Sequence, residues 1–132
     1  MCAEILHIEI AKEMTTIDLG KRGEEVALRF LESKGLKLLD KNWRSGYREI
    51  DLVMEGDDGV HIIEVRSLME SGNIPYESID RRKQRMVISA AARYVYERRV
   101  QAEIRFDVVS GVFGKGDAVS VEYFPDAFAP QW

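Results

Sequence analysis

Two alternating stretches in the middle of the chain set its pattern. Arg48-Glu49-Ile50-Asp51-Leu52-Val53 and Val60-His61-Ile62-Ile63-Glu64-Val65-Arg66 are rich in aliphatic and β-branched residues. Ser45-Gly46 precedes the first, and Glu55-Gly56-Asp57-Asp58-Gly59 separates the two. Both predict β-strands bounded by turns. Successive side chains on a strand face opposite ways. Val60, Ile62, Glu64 and Arg66 therefore share one face of the second strand, and His61, Ile63 and Val65 the other. An acid and a base thus lie on a face that begins apolar, with Asp51 inside the neighbouring run. Charges among aliphatics are costly unless paired or bound to a cation. A metal-dependent nuclease needs this arrangement, and a buried ion pair has the same appearance.

The rest of the chain supplies the layers. From Asp18 to Lys34 the pattern is helical, with Leu19, Gly23, Val26, Ala27, Phe30 and Leu31 on one stripe. Asp18 suits the start of that helix and Gly35 its end. Glu24 borders the apolar stripe, and Glu25 points nearly opposite it. Leu36 to Trp43 reads as a strand that forms an antiparallel meander with the two central ones. Ser67 to Ser78, broken by Gly72, Asn73 and Pro75, reads as a loop long enough for a mobile flap. Ser78 or Asp80 caps a second helix reaching about Arg99, with Val87, Ala90, Ala91, Tyr94 and Val95 buried and Lys83 on the same side. Glu103 to Val109 and Ala118 to Phe124 complete the strands, with Arg105 and Asp107 expected to pair structurally, and Pro125 to Trp132 forms a tail anchored by Phe128. The order α-β-β-β-α-β-β predicts an α/β fold, a central mixed sheet flanked by helices. Residues 18–132 read as a single domain. Residues 1–17, with Ile5, Leu6, Ile8 and Ile10, fit an extra strand, a helix or a loose arm, and Met14 is an alternative translation start.

Composition narrows the function. A chain of 132 residues, 45% hydrophobic and 32% charged, suits one globular core. No apolar run approaches the roughly 18–20 residues of a membrane span. The N-terminus lacks the features of a secretory signal, and Cys2 is the lone cysteine, so a reducing cytoplasm is the expected location. With His7 and His61 as the only histidines, a Cys/His zinc site is not expected. The net charge of −4 argues against a protein that coats nucleic acid non-specifically. It leaves room for a local basic patch. Arg81, Arg82, Lys83 and Arg85 open the second helix, where cations oppose the helix dipole. Helix N-termini and basic side chains both favour phosphate, so these residues are candidates for contact with nucleic acid.

Six motifs occur in one order: Gly20-Lys21-Arg22-Gly23-Glu24, Asn42-Trp43-Arg44, Glu49-Ile50-Asp51-Leu52, Glu64-Val65-Arg66, Lys83-Gln84 and Arg105-Phe106-Asp107-Val108. In order and spacing the chain resembles the YraN family of bacterial proteins over roughly Leu19 to Phe128. The resemblance implies the restriction-endonuclease-like PD-(D/E)xK fold, similar to archaeal Holliday-junction resolvases. It implies a Mg²⁺- or Mn²⁺-dependent DNA endonuclease acting on branched or damaged DNA. Asp51 and Glu64, with the Val65 carbonyl, would bind the cation through hard oxygen ligands. Glu24 would complete the acidic cluster directly or through water, and Lys83 would contact phosphate or brace the site. A homodimer is implied as well, because a four-way junction needs two symmetric cuts.

Two departures from the family pattern bear on this. Arg48 stands where the family has Gly, altering the turn or adding a phosphate contact. Arg66 stands where the family has Lys. Arginine stays protonated and cannot act as a base, though it can stabilise charge on a phosphate. Two other functions therefore stand beside the endonuclease. One is a DNA-binding protein of the same fold with weakened catalysis. The other is a protein-interaction domain in which Asp51, Glu64 and Arg66 form a structural ion-pair network. His61, Trp43, Tyr94 and Tyr96 are expected to serve packing.

Overall fold

The computed structural model describes residues 2–7, 16–69, 79–114 and 118–130. Its elements are β1 (Cys2–His7), α1 (Thr16–Ser33), β2 (Lys37–Ser45), β3 (Arg48–Gly56), β4 (Gly59–Met69), α2 (Arg81–Arg98), β5 (Ile104–Phe113) and β6 (Ala118–Phe128). The strands form one six-stranded sheet in the order β1-β6-β5-β4-β3-β2. β2, β3 and β4 are an antiparallel meander, β4 and β5 run parallel, and β6 is antiparallel to both neighbours. A parallel step needs a long crossover, and α2 lies within it. After β1, the chain has the expected restriction-endonuclease-like order, a mixed sheet with helices packed on it. Among the described residues no helix is long and apolar enough to cross a membrane.

The alternation expected of β4 divides the core. Ile63 packs with Val26, Ala27, Phe30 and Leu31 of α1. Val60 and Ile62 pack instead with Val87, Ala90, Ala91 and Tyr94 of α2. The helices thus cover opposite faces. Trp43 is buried on the α2 side, edge-to-face against Tyr94 at 5.2 Å between ring centroids. Tyr94 also donates its hydroxyl to Asp40 Oδ2 at 2.6 Å, tying α2 to β2. Tyr96 departs from the packing role and is exposed.

Pairing partners correct several expected boundaries. β4 continues through Met69 because β5 runs beside it to Phe113, so Ser67 to Met69 are strand rather than loop. The remainder of the expected flap, residues 70–78, lies outside the described residues, as does Met14. β6 likewise absorbs part of the expected tail, and Phe128 stacks on Phe106 at 5.2 Å. Among the described residues the β1 pairing ends at Cys2↔Tyr123, so Pro125 lies beyond it on β6, where no ladder donor is needed on that side. α1 begins at Thr16, which places Asp18 in the first turn, where its charge suits the helix dipole, rather than at the cap. Gly35, at φ 93°, ends α1 as expected, and its N–H donates to Glu32 at 3.0 Å.

The expected Arg105–Asp107 pair is not formed. Asp107 is fully buried and accepts from the Tyr123 hydroxyl at 2.6 Å and the Asp126 N–H at 2.9 Å, with His61 Nδ1 at 2.5 Å. A buried carboxylate is stable only when so surrounded by donors. Arg105 reaches outward to Asp126, Asp58 and Glu103. His61 is buried between Asp107 and Asp58, whose Oδ1 lies 2.7 Å from Nε2. The hydrogen bond to Asp107 raises the His61 pKa to about 9 against the opposing effect of burial, with Asp58 adding to the rise. His61 is buried, as expected of a packing residue, and its two carboxylate partners favour its protonated form, which sequence alone did not indicate.

Two stability predictions follow from these contacts. A Cβ on Gly23 would lie 1.6 Å from Ser67 Oγ and 2.8 Å from Ser67 Cβ, so α1 meets β4 at a glycine. A Cβ on Gly20 would meet nothing within 4 Å. Gly23→Ala should lower the unfolding free energy by about 1–3 kcal/mol through overpacking. Gly20→Ala should raise it by up to about 1 kcal/mol through helix propensity. Urea unfolding compares the two, and an equal response would discount the close approach. For His61 the folded-state pKa of about 9 exceeds the ordinary 6.5, so its stabilisation is whole below about pH 6.5 and is lost as pH rises through about 9. Melting temperature should fall across that window, and His61→Phe should flatten the fall between pH 7 and 9.

Candidate functional site

The site forms where two strands part. β3 and β4 pair from Gly56↔Gly59 to Leu52↔Ile63, and the ladder stops there. Continued by one step, it would set Asp51 against Glu64. Instead β4 stays with β5 and β3 stays with β2. The Val65 N–H donates to Asp51 Oδ2 at 2.8 Å. A carboxylate thus takes the place of a ladder carbonyl for this partly buried N–H. In an extended strand residue the N–H and C=O point to the same side, so the Val65 carbonyl faces the Asp51 side of β4.

β3 is irregular at the same point. Ile50 and Val53 both pack on the α2 side although strict alternation would separate them. The break falls around Asp51. Opposite it in register, between the pairs Lys41↔Leu52 and Trp43↔Ile50, Asn42 adopts a left-handed φ of 51°. Asparagine tolerates that conformation better than most residues. This is a structural reason for the Asn42-Trp43-Arg44 motif.

Glu64 projects from β4 on the α2 side, its side chain 13% exposed, and pairs with Lys83 Nζ at 3.3 Å. Lys83 is placed by the start of α2, where Asp80 caps the helix by accepting the Lys83 N–H at 2.8 Å. Burial pushes the Asp51 carboxyl up to about 6, opposed by the Val65 hydrogen bond and reinforced by the charges of Glu24 and Glu49. Burial likewise pushes Glu64 up to about 7, reinforced by the charge of Asp51 and opposed by Lys83. Desolvation and like charge act together here, a combination characteristic of functional carboxylates.

The structure therefore brings Asp51, Glu64, Val65 and Lys83 together, with Glu24 on α1 and Glu49 on β3 within electrostatic reach. Among the described residues no three or more His, Cys, Asp or Glu side chains form a group that could hold a metal ion. The donor set is two carboxylates beside a backbone carbonyl, which suits a hard cation that keeps several waters. Arg66 follows Glu64 on the same face of β4, half-buried and in register with Ser110 of β5. Glu49 was part of a motif without a role of its own. Its charge reinforces the rise of both the Asp51 and the Glu64 carboxyl.

The basic residues divide into two groups. Arg48, Arg82, Lys83 and Arg85 line a groove of about 300 Å³ between the β2–β3 turn and α2. Arg81 faces a neighbouring groove near Ile88 and Pro130, which Arg85 also borders. Tyr47, absent from the sequence-based candidates, also lines the first groove. A larger groove of about 660 Å³ lies by the β3–β4 turn, away from Asp51 and Glu64, and Asp58, Glu103 and Arg105 on its wall already pair with one another.

The raised carboxyl pKa values carry a stability consequence. Both folded-state values exceed the ordinary 3.8 and 4.5, so the folded chain binds more protons than the unfolded chain between about pH 4 and 7. Stability should therefore decrease as pH rises through that window. Asp51→Asn or Glu64→Gln should stabilise the metal-free protein at pH 8 by on the order of 2 kcal/mol. Denaturant unfolding in EDTA checks this, and a loss of stability would instead indicate a structural network.

The profile described as "Uncharacterised protein family UPF0102" matches residues 23–110, which contain the acidic pair, Glu24 and the basic start of α2. A UPF0102 protein of Myxococcus xanthus is 41% identical over 114 residues, covering 84% of this chain and 89% of its own. Relatives of the same description from Rhodococcus opacus and Persephonella marina are each 36% identical, over 83% and 79% of this chain and 95% of theirs. The chain belongs to the UPF0102 family, the YraN family whose motifs it carries.

Proposed function

We propose that this protein is a divalent-metal-dependent endonuclease that hydrolyses phosphodiester bonds in DNA. The observation that carries the reading is the desolvated pair Asp51 and Glu64, held where β3 and β4 part and pushed up to about 6 and about 7. Crowded carboxylates of this kind gain most from a bound cation. Asp51 and Glu64, with the Val65 carbonyl, are the residues that would hold Mg²⁺ or Mn²⁺. When bound, the cation supplies Lewis-acid polarisation of the phosphate and acidification of its water.

The chain's own residues do the rest. Val65 fixes the Asp51 carboxylate through its N–H. Lys83 holds a positive charge 3.3 Å from Glu64 and in reach of an entering phosphate. Glu24 adds negative charge that favours cation binding at Asp51. Arg66 contributes permanent charge for the phosphate and takes up no proton. Arg81, Arg82 and Arg85, exposed on the first turns of α2, engage backbone phosphates on approach. DNA, branched DNA included, is the substrate this combination suits, and two copies of the chain would cut paired strands.

Arg66 favours a second reading, a DNA-binding protein with weakened catalysis. One assay separates the two. Labelled linear, flap and four-way-junction DNA is incubated with Mg²⁺ and then Mn²⁺, with Glu64→Ala as the control against contaminating nuclease. Cleavage lost in the control is the expected result. Salt-sensitive binding without cleavage would support the second reading, and Arg66→Lys should then raise activity. Changing Arg81, Arg82 and Arg85 together to Ala should weaken binding and reduce its salt slope by about 3, roughly one per lost phosphate contact. An unchanged slope would remove the patch from the interface.

A further inference from the structure

The turn between β2 and β3 is two residues long, Gly46 and Tyr47, flanked by the paired Ser45 and Arg48. Gly46 has φ 63°, whereas Tyr47 is not among the positive-φ residues. A positive φ at the first central position alone is the type II′ hairpin turn, whose twist matches the flanking strands. Tyr47 is therefore presented by a tight loop, and it is 78% exposed. The Arg48 guanidinium lies 4.8 Å from the centre of its ring. Arg48 is itself held from the other side, its Nε donating to Ser89 Oγ of α2 at 3.0 Å. An apolar ring in water is thus braced by a cation fixed between two elements.

Across the groove from Tyr47 stand Arg82, Lys83, Arg85 and Met86, the last 46% exposed. An aromatic ring, a thioether and four cations around one groove, with Glu49 as the single acid on its lining, match the two halves of a nucleotide. The ring and thioether offer a flat apolar surface to a base, and the cations meet its phosphates. Lys83 also touches Glu64, so the groove leads directly to the acidic pair. A paired base keeps both faces in its own stack. Within a duplex, away from its ends, both faces are taken, so a ring stacks most readily on a base that has left the duplex or was never in it.

We infer that Tyr47, with Arg48 and Met86, is a stacking site for an unpaired nucleotide beside Asp51 and Glu64. The substrate is then nucleic acid with a single-stranded segment next to the bond to be cut. This rests on the endonuclease reading, and it specifies the substrate class for that site.

The test is binding without chemistry. Fluorescence anisotropy in EDTA compares labelled oligodeoxythymidine with a blunt duplex for the wild type, Tyr47→Ala and Tyr47→Phe. The exposed position makes both variants fit to fold, which circular dichroism checks. Tyr47→Ala should weaken single-strand binding about tenfold and lower the ratio of single-strand to duplex affinity. Tyr47→Phe should retain both, because the ring and not the hydroxyl is used. An oligonucleotide carrying 2-aminopurine should lose its fluorescence quenching with Ala and keep it with Phe. Unchanged binding in Tyr47→Ala, equal losses in Ala and Phe, or equal losses on single strand and duplex would each overturn the inference. Failure of the Glu64-dependent cleavage assay would overturn the endonuclease reading instead, since these measurements involve no cleavage.

Discussion

The hydrogen bond from the Val65 N–H to Asp51 is the interaction around which the rest is arranged. A partly buried amide that has no strand partner is satisfied by another acceptor. Here the acceptor is a side chain, and that single exchange has two effects. It lets β3 and β4 part without leaving an orphan donor, and it fixes a carboxylate in the gap. Several other features hold the gap's walls. β5 keeps β4 extended through Met69, Gly23 lets α1 lie close at Ser67, and Asp80 sets the first turn of α2 so that Lys83 reaches Glu64. The left-handed Asn42 lies opposite the irregularity at Asp51. Removing the gap would allow one more ladder pair and would eliminate the reason for each of these.

The two charged clusters of the sheet obey opposite logic. At His61 a cation sits between two carboxylates, every group is paired, and the pKa moves toward the charged form. At Asp51 and Glu64 two acids share a poorly solvated space, and both move toward the neutral form. The first cluster contributes stability and the second costs it. A natural sequence carries such a conflict where something other than stability is selected. The sheet separates the two: His61 precedes Glu64 on β4 by an odd number of residues, so they face opposite sides.

Much of this was legible in the sequence because it follows from alternation. The faces of β4, the burial of His61 away from Glu64 and the stripe of α1 needed only the periods of strand and helix. What escaped is set by partners distant in the chain. β4 ends at Met69 because β5 is long enough to pair with it, and nothing in Ser67-Leu68-Met69 announces that. Arg105 and Asp107 share a face, but Asp107 is claimed by His61 and Tyr123 from neighbouring strands, so their proximity in sequence decides nothing. Within the site, Asp51, Glu64 and Lys83 were visible as charges in apolar settings. Tyr47 was not, because a tyrosine in a turn is ordinarily a solvated residue until a groove is seen beside it.

Arg66 gains a different meaning once Lys83 is placed. Read along the strand, the loss of lysine at this position deprives the acidic pair of an ammonium group. In space an ammonium is present, 3.3 Å from Glu64, supplied by the first turn of a helix rather than by the strand. The two cations are not equivalent. A guanidinium is planar, permanently charged and suited to gripping phosphate in two places. An ammonium is a compact charge on a flexible stem, and Lys83 keeps 48% of its side chain exposed while pairing with Glu64. The departure at Arg66 therefore changes the kind of cation on the strand and leaves the Lys83 ammonium in place beside Glu64. A permanent charge lies on the strand, and a half-exposed ammonium lies on the lining of the groove.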